Sequence, residues 1–146
     1  MAASAITVRR TTPSDRHFVS QDGYLPERIV RRKMEDGDVF VAEYGGERVG
    51  YLRLEYLWAK LPYIELIRVL EPHRRSGVGR ALLAFAEADV AARGHAVLYS
   101  SSQVDEPEPQ AWHRRMGFAE CGLLAGVNEG GVGEVFFRKA TVPGEK

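Results

Sequence analysis

The sequence predicts an α/β fold built on a central, mixed, mostly antiparallel and twisted sheet with flanking helices. Three observations carry this. A strand, a helix and a strand follow one another over residues 63–71, 78–93 and 96–102, a crossover that makes the two strands parallel neighbours. A three-stranded meander with short turns precedes it. A final hairpin follows it.

Each element has a local reason. "AITVRR" (5–10) alternates and reads as a first strand. "TTPSD" offers caps and a helix-start proline, and the short helix it opens is broken near Gly23. "LPERIVRRKMEDG" reads as a clearer helix, with Pro26 in its first turn, Ile29, Val30 and Met34 at helical spacing, and Gly37 as its stop. "DVFVAEYGGERVGYLRLEYLW" is a hairpin turning at "GGE" and returning over 49–56, and "AKLP" turns again into the strand at 63–71. Gly94 ends the helix at 78–93. "QVDEPEPQ" reads as an acidic loop, "AWHRRMGF" as a short helix stopped by Gly117, and "AECGLLAGV" with "GEVFFRKA" as the last hairpin around "NEGG". That makes about seven strands. No repeat or linker interrupts them, so one domain is expected over 1–146, with a loose tail at 140–146.

Composition narrows the function classes. The chain of 146 residues has room for one core, and 45% hydrophobic with 27% charged residues is an ordinary globular balance. Zero formal net charge disfavours a non-specific nucleic-acid partner. Arginine outnumbers lysine, which suits planar recognition of phosphate and carboxylate. Cys121 is the only cysteine, so neither an intrachain disulfide nor a thiolate zinc site is expected, and no metal site is predicted. Cys121 reads as a small residue at a strand start rather than a nucleophile. "MAASAITVRR" has no secretory core and no apolar run spans a membrane, so a cytoplasmic protein without membrane association is expected.

One stretch carries chemistry. In "EPHRRSGVGRALLAFAEA" a strand end runs through Arg74, Arg75, Ser76, Gly77, Val78, Gly79 and Arg80 into a helix. A helix N-terminus leaves amides without partners and carries partial positive charge. Glycines let an oxygen approach the bare backbone, and the arginines add full charges. The stretch is either a phosphate cradle suited to pyrophosphate or a tight turn with solvated arginines. Its spacing fits neither the P-loop nor the dinucleotide fingerprint.

Arg74-x-x-Gly77-x-Gly79 followed by "RALL" resembles the coenzyme A signature of GNAT acyltransferases, R/Q-x-x-G-x-G/A, and "WHRRMGF" resembles their closing "FYEKLGF". The order of elements is similar from Ile6 to about Lys139. The resemblance implies a GNAT-like fold with splayed fourth and fifth strands, acetyl-CoA as co-substrate, and acetyl transfer to an amine. It implies that the loop amides hold the pyrophosphate. It also implies that pantetheine enters the gap between those strands and meets backbone groups of Val69 and Leu70.

The chemistry needs a base for the amine and an acid for the departing thiolate. Glu65 is the first candidate base. It stands on the strand leading to the motif, four residues before Val69 and so on the same face. Its alternative is a structural pairing with Arg53 or Arg68. Glu55 is a weaker candidate. His113 occupies the place of the family's tyrosine and is either the acid or a helix residue packing under Trp112. Tyr99 is the reserve acid. "EPEP" stands where many members carry N-x-x-A, leaving Ser101, Ser102 or Gln103 to meet the coenzyme instead. For the acceptor, the resemblance implies Tyr24, Tyr56, Trp58, Tyr63, Gln103, Asp105 and Glu106, with Trp58 and Tyr63 read rather as caps on a sheet edge. The "NEGGVGE" turn lies in a final hairpin that in the resembled family can reach a partner subunit's site, so a homodimer is allowed. Small molecules and peptides both remain open as acceptors. A coenzyme A-binding module without catalysis is the alternative function.

Overall fold

The computed structural model describes residues 5–141, so the first four residues and the tail beyond Thr141 lie outside it. Seven strands form one sheet in the order β1-β2-β3-β4-β5-β7-β6. They are β1 (Ile6–Arg10), β2 (Val39–Tyr44), β3 (Glu47–Leu57), β4 (Leu61–Val69), β5 (Val97–Gln103), β6 (Ala119–Leu124) and β7 (Glu134–Ala140). Three helices accompany them: α1 (Glu27–Glu35), α2 (Val78–Ala92) and α3 (Pro107–Arg115). The sheet is mixed: β1–β2, β2–β3, β5–β7 and β6–β7 are antiparallel, and β4–β5 is parallel. The crossover expected from sequence is therefore present. It joins the strand pair that splays in the GNAT fold.

The chain divides into two compact units. One comprises the residues up to Glu55 together with Glu65–Asp89, and the other comprises Tyr56–Ile64 with the chain from Val90 onward. In the first unit β2 is buried on both faces, with Val39, Phe40, Val41 and Ala42 all enclosed. Phe40 meets Phe85 of α2 edge-on at 5.0 Å, and Leu82 and Leu83 bury the same helix face. Val19, Val30, Val39 and Tyr51 form a further buried cluster. In the second unit β5 alternates: Leu98, Ser100 and Ser102 face inward, while Tyr99, Ser101 and Gln103 are half-buried on the other face.

Local chemistry explains the departures from expectation. The short helix after β1 is two single 3-10 turns, Pro13–Asp15 and Phe18–Ser20. Asp15 reaches back to the Thr12 amide at 2.7 Å and closes the first of them. "PEPQ" is the first turn of α3 rather than loop, because proline's missing N–H would have had no partner there. β4 stops at Val69, and Glu71–His73 turns as a 3-10 segment. The loose tail expected at 140–146 falls mostly on residues outside those described. Ala140 ends β7, and the buried Thr141 donates its N–H to Ala96 O at 2.9 Å and its hydroxyl to His95 O at 2.7 Å. Residues 142–146 lie outside the described residues.

Candidate active site

Gly50 on β3 sets the approach of α2. A Cβ built there would stand 2.8 Å from Arg68 O, 3.1 Å from Val78 Cγ1 and 3.4 Å from Leu82 Cδ1. Only glycine lets the helix N-terminus and the β4 backbone come this close to β3. The β4 end is tied by Leu70 N–H donating to Val49 O at 2.9 Å.

Beyond it the loop turns through two left-handed residues, Arg75 (φ 65) and Gly77 (φ 94). A Cβ at Gly77 would meet only Ile6 Cδ1 at 3.7 Å, so backbone conformation, not space, calls for glycine there. Ala81 N–H donates to Gly77 O at 3.0 Å, and the amides of Gly77, Val78, Gly79 and Arg80 precede that bond. Arg74, Arg75, Ser76, Gly77 and Arg80 are exposed. Arg74 Nε donates to Val69 O at 2.9 Å, and Ser76 Oγ donates to His73 O. The two residues expected to offer backbone to pantetheine are thus partly engaged: the Val69 carbonyl holds Arg74, and the Leu70 amide holds Val49. A diphosphate fits this loop, where unladdered amides at a helix start meet three exposed guanidinium groups.

Glu65 sits in a buried ion network on the same unit. Arg53, fully enclosed, donates Nε to Glu65 Oε1 at 2.7 Å and Nη2 to Oε2 at 3.0 Å. Its Nη1 donates to Asp22 Oδ2 at 2.6 Å and to Val19 O at 2.7 Å, and its Nη2 to Asp22 Oδ1 at 3.1 Å. Tyr51 O–H donates to Asp22 Oδ2 at 3.0 Å. Burial alone would push the Asp22 carboxyl up, but the Arg53 guanidinium and the Tyr24 amide outweigh it and hold it below its ordinary range. Burial and the Asp22 charge push the Tyr51 phenol up. Two carboxylates share one guanidinium, and Glu65, at 17% side-chain exposure, is more open than Asp22 at 1%. The pairing with Arg53 weighed from sequence is present. Glu55 pairs with Lys33.

His113 is 4% exposed on α3. Its Nδ1–H donates to Pro109 O at 2.8 Å, so Nε2 accepts from Ser100 O–H at 2.7 Å. Its ring stacks on Phe137 at 4.5 Å and 5°, with Trp112 and Phe118 edge-on. Burial pushes its pKa below the ordinary histidine value. This is the packing arrangement weighed as the alternative to an acid, with both nitrogens occupied.

Tyr99 lies on the other face of β5, with the Arg138 guanidinium 6.0 Å from its ring centre. It is in register with Tyr63 across the parallel pair. Tyr63 O–H and Ser101 Oγ are 2.7 Å apart, and Ser101 O–H donates to Glu134 Oε2 at 2.5 Å. Asn128 Nδ2 donates to Glu134 Oε1 at 2.8 Å. The structure thus brings Tyr63, Tyr99 and Ser101 together. Other acceptor candidates are spread out. Tyr24 (69% exposed) is on an early loop, and Trp58 (81% exposed, φ 52) is at the β3–β4 turn. The Tyr56 hydroxyl accepts from Arg93 at 2.8 Å. The Gln103 carbonyl accepts from Gln110 Nε2 at 3.1 Å, while Asp105 and Glu106 are exposed. Cys121 is an exposed thiol pushed up by burial. Sequence reasoning missed Arg53 as the centre of a network and Glu134 as a partner of Ser101. An arginine between Leu52 and Leu54 in an apolar strand was the available signal for the first.

A mixed sheet with one parallel strand pair, followed through a glycine- and arginine-rich turn by a helix, is the arrangement expected of an acyltransferase of the resembled family. The sequence profile of the Acetyltransferase (GNAT) family matches residues 7–118, and the chain belongs to that family. It is an acyltransferase of that family. An aminoglycoside N(6')-acetyltransferase type 1 of Stenotrophomonas maltophilia is 34% identical over 138 residues, covering 82% of this chain and 90% of that protein. Ard1 from Thermoplasma volcanium shares the fold at a TM-score of 0.82 and 19% identity, covering 94% of this chain and 99% of that one. A Bacillus anthracis str. Ames chain solved with acetyl coenzyme A matches at a TM-score of 0.65 and 20% identity, covering 70% of this chain and 61% of that one. Among the described residues no cluster of three metal-ligating side chains occurs, and no helix is long and apolar enough to cross a membrane.

Proposed function

We propose that this chain, as one acetyltransferase domain, moves the acetyl group of acetyl-CoA onto a primary amine of a small molecule or a peptide. The amine attacks directly while both substrates are bound. The observation that carries the reading is the Arg74–Arg80 loop, whose free amides and arginines suit a coenzyme diphosphate. A cationic amino sugar is the first acceptor class to test, because the Stenotrophomonas relative is named for an aminoglycoside amine. Holding both reactants in line supplies much of the rate. Glu65 is the first candidate to accept the amine's proton, each of its oxygens keeping a lone pair beyond the Arg53 bonds. Tyr99 is favoured over His113 as donor to the leaving sulfur, since His113 is enclosed with both nitrogens bonded.

The test is a panel of aminoglycosides, polyamines and short peptides incubated with acetyl-CoA, with free thiol measured. Amine-dependent thiol release with a matching mass gain of one acetyl group supports the reading. Coenzyme binding without turnover on any member would favour the binding-module alternative.

A further inference from the structure

Every donor of Arg53 is in use. A guanidinium carries five N–H groups. Nε and one Nη2 hydrogen go to Glu65, the other Nη2 hydrogen and one Nη1 hydrogen go to Asp22, and the last Nη1 hydrogen goes to Val19 O. Asp22 is equally complete, since a carboxylate has about four acceptor positions. Its Oδ2 accepts from Arg53 Nη1 and the Tyr51 O–H, and its Oδ1 accepts from Arg53 Nη2 and from the Tyr24 N–H at 3.1 Å. Glu65 differs. Each of its oxygens accepts one bond from Arg53 and keeps one acceptor position. It is also the most open of the three side chains, at 17% against 0% for Arg53 and 1% for Asp22. The remaining hydrogen-bonding capacity of the three thus lies on one carboxylate, the one nearest solvent.

Charge points the same way. Two carboxylates and one guanidinium sum to a single negative charge. Among the described residues no second cation pairs with either carboxylate; Arg68, near enough to Tyr51 to act on its phenol, bonds neither. A partly buried net charge is costly without a partner. A ligand that meets the Glu65 oxygens must donate N–H or O–H, and one that also balances the charge must be a cation. A protonated amine does both, an alcohol does only the first, and a carboxylate does neither. Arg53 and Glu65 alone would sum to zero. Asp22 adds the second negative charge, and its fork on Arg53 fixes the plane of the guanidinium against which Glu65 lies.

We propose that Glu65 binds the acceptor as an ammonium ion, and that Asp22, acting through Arg53, is the positioning residue that makes the site select a cation. The proposal rests on the reading of the chain as an amine acetyltransferase and narrows it: the amine arrives protonated and is recognised at Glu65 before it gives up its proton. Asp22, Tyr51, Arg53 and Glu65 all belong to one compact unit.

The experiment uses n-butylammonium and n-butanol, two probes of similar size that differ in charge. Each is titrated into the full chain and followed by NMR chemical shifts, and the ratio of the two affinities is the readout. The wild type should prefer the ammonium by about 10- to 100-fold, the worth of one charge-assisted hydrogen bond. That preference should shrink as salt is raised. Glu65→Gln and Asp22→Asn should each lose most of it while butanol affinity and coenzyme A affinity hold. A purely structural loss would weaken both probes alike and leave the ratio unchanged. Tyr51→Phe takes one donor from Asp22 but no charge, so it should keep the ratio, and it serves as the second variant where Asp22→Asn does not fold. Equal affinities in the wild type, or a preference that Glu65→Gln leaves whole, would overturn the ammonium site. A preference that Asp22→Asn leaves whole, or that Tyr51→Phe removes, would overturn the role of Asp22. None of these outcomes depends on turnover. Ammonium preference with no thiol release on any amine of the panel above would leave the cation site and overturn the acetyltransferase reading, and equal affinities with thiol release would do the reverse.

Discussion

Gly50→Ala tests how β3, β4 and α2 are built together. The new Cβ would stand 2.8 Å from Arg68 O, a backbone atom with no rotamer to escape into. It would also press Val78 Cγ1 at 3.1 Å, the first residue of α2, the helix proposed to meet the coenzyme. Overpacking of this kind costs about 1–3 kcal/mol. Removing a glycine from the unfolded chain returns about 0.4–1 kcal/mol where the backbone is compatible. Gly50 lies outside the left-handed set, so that gain applies here. The net is a loss of about 0–2.6 kcal/mol, centred near 1.3, or roughly 4 °C in Tm at this chain length. Because Val78 must move to relieve the contact, acetyl-CoA affinity should fall about tenfold as well. Urea denaturation gives the first quantity and isothermal titration with coenzyme A the second. An unchanged midpoint with unchanged coenzyme affinity would refute the argument that this glycine sets the approach of the helix.

Three further outcomes are expected. Gly79→Glu places a carboxylate among the loop amides and should abolish measurable coenzyme A binding while leaving the far-ultraviolet circular dichroism intact; retained affinity would remove the diphosphate assignment. Arg53→Met leaves Asp22 buried without its cation and should cost about 3–5 kcal/mol in denaturant titrations. His113 is held neutral by burial, so the unfolded chain takes up a proton first as pH falls below about 6.5. The stability it confers is present above that value and is lost as pH drops toward its lower folded pKa. In His113→Phe the stability curve should be flatter below about pH 6.5, with turnover retained; a large fall in kcat with a changed pH profile would restore His113 as the acid.

Much of the fold was legible because it is written in local patterns. Alternation over 5–10, the glycine pair at Gly45–Gly46, the long apolar helix and its stop at Gly94 all act within a few residues, and the strands and helices stand close to where they were expected. The two 3-10 turns were less legible, since one Asp15 carboxylate, gripped by Arg9, Arg48 and the Thr12 amide, closes the first of them. Burial alone would raise the Asp15 carboxyl, yet the Arg9, Thr12 and Arg48 hydrogen bonds together hold it well below the usual range. The start of α3 was missed because proline in a first turn and proline in a loop look alike in a string of letters.

The loop proposed for the coenzyme could be proposed from sequence because its amides, glycines and arginines are consecutive and a helix start needs no distant partner to bind an anion. The polar networks could not. Arg53 joins Asp22 and Glu65 across 31 and 12 positions, and Ser101 reaches Glu134 across 33. Which carboxylate each meets depends on strand register and sheet order. Sequence alone thus pointed to the family and to the loop proposed for the donor. Only the tertiary structure decided that His113 is a buried stacking residue, that Glu65 is gripped by Arg53, and that the Ser101 hydroxyl donates to Glu134. The physical reason is range: a helix terminus is made by neighbours in sequence, whereas the direction of a hydrogen bond is set by whatever the fold places at its far end.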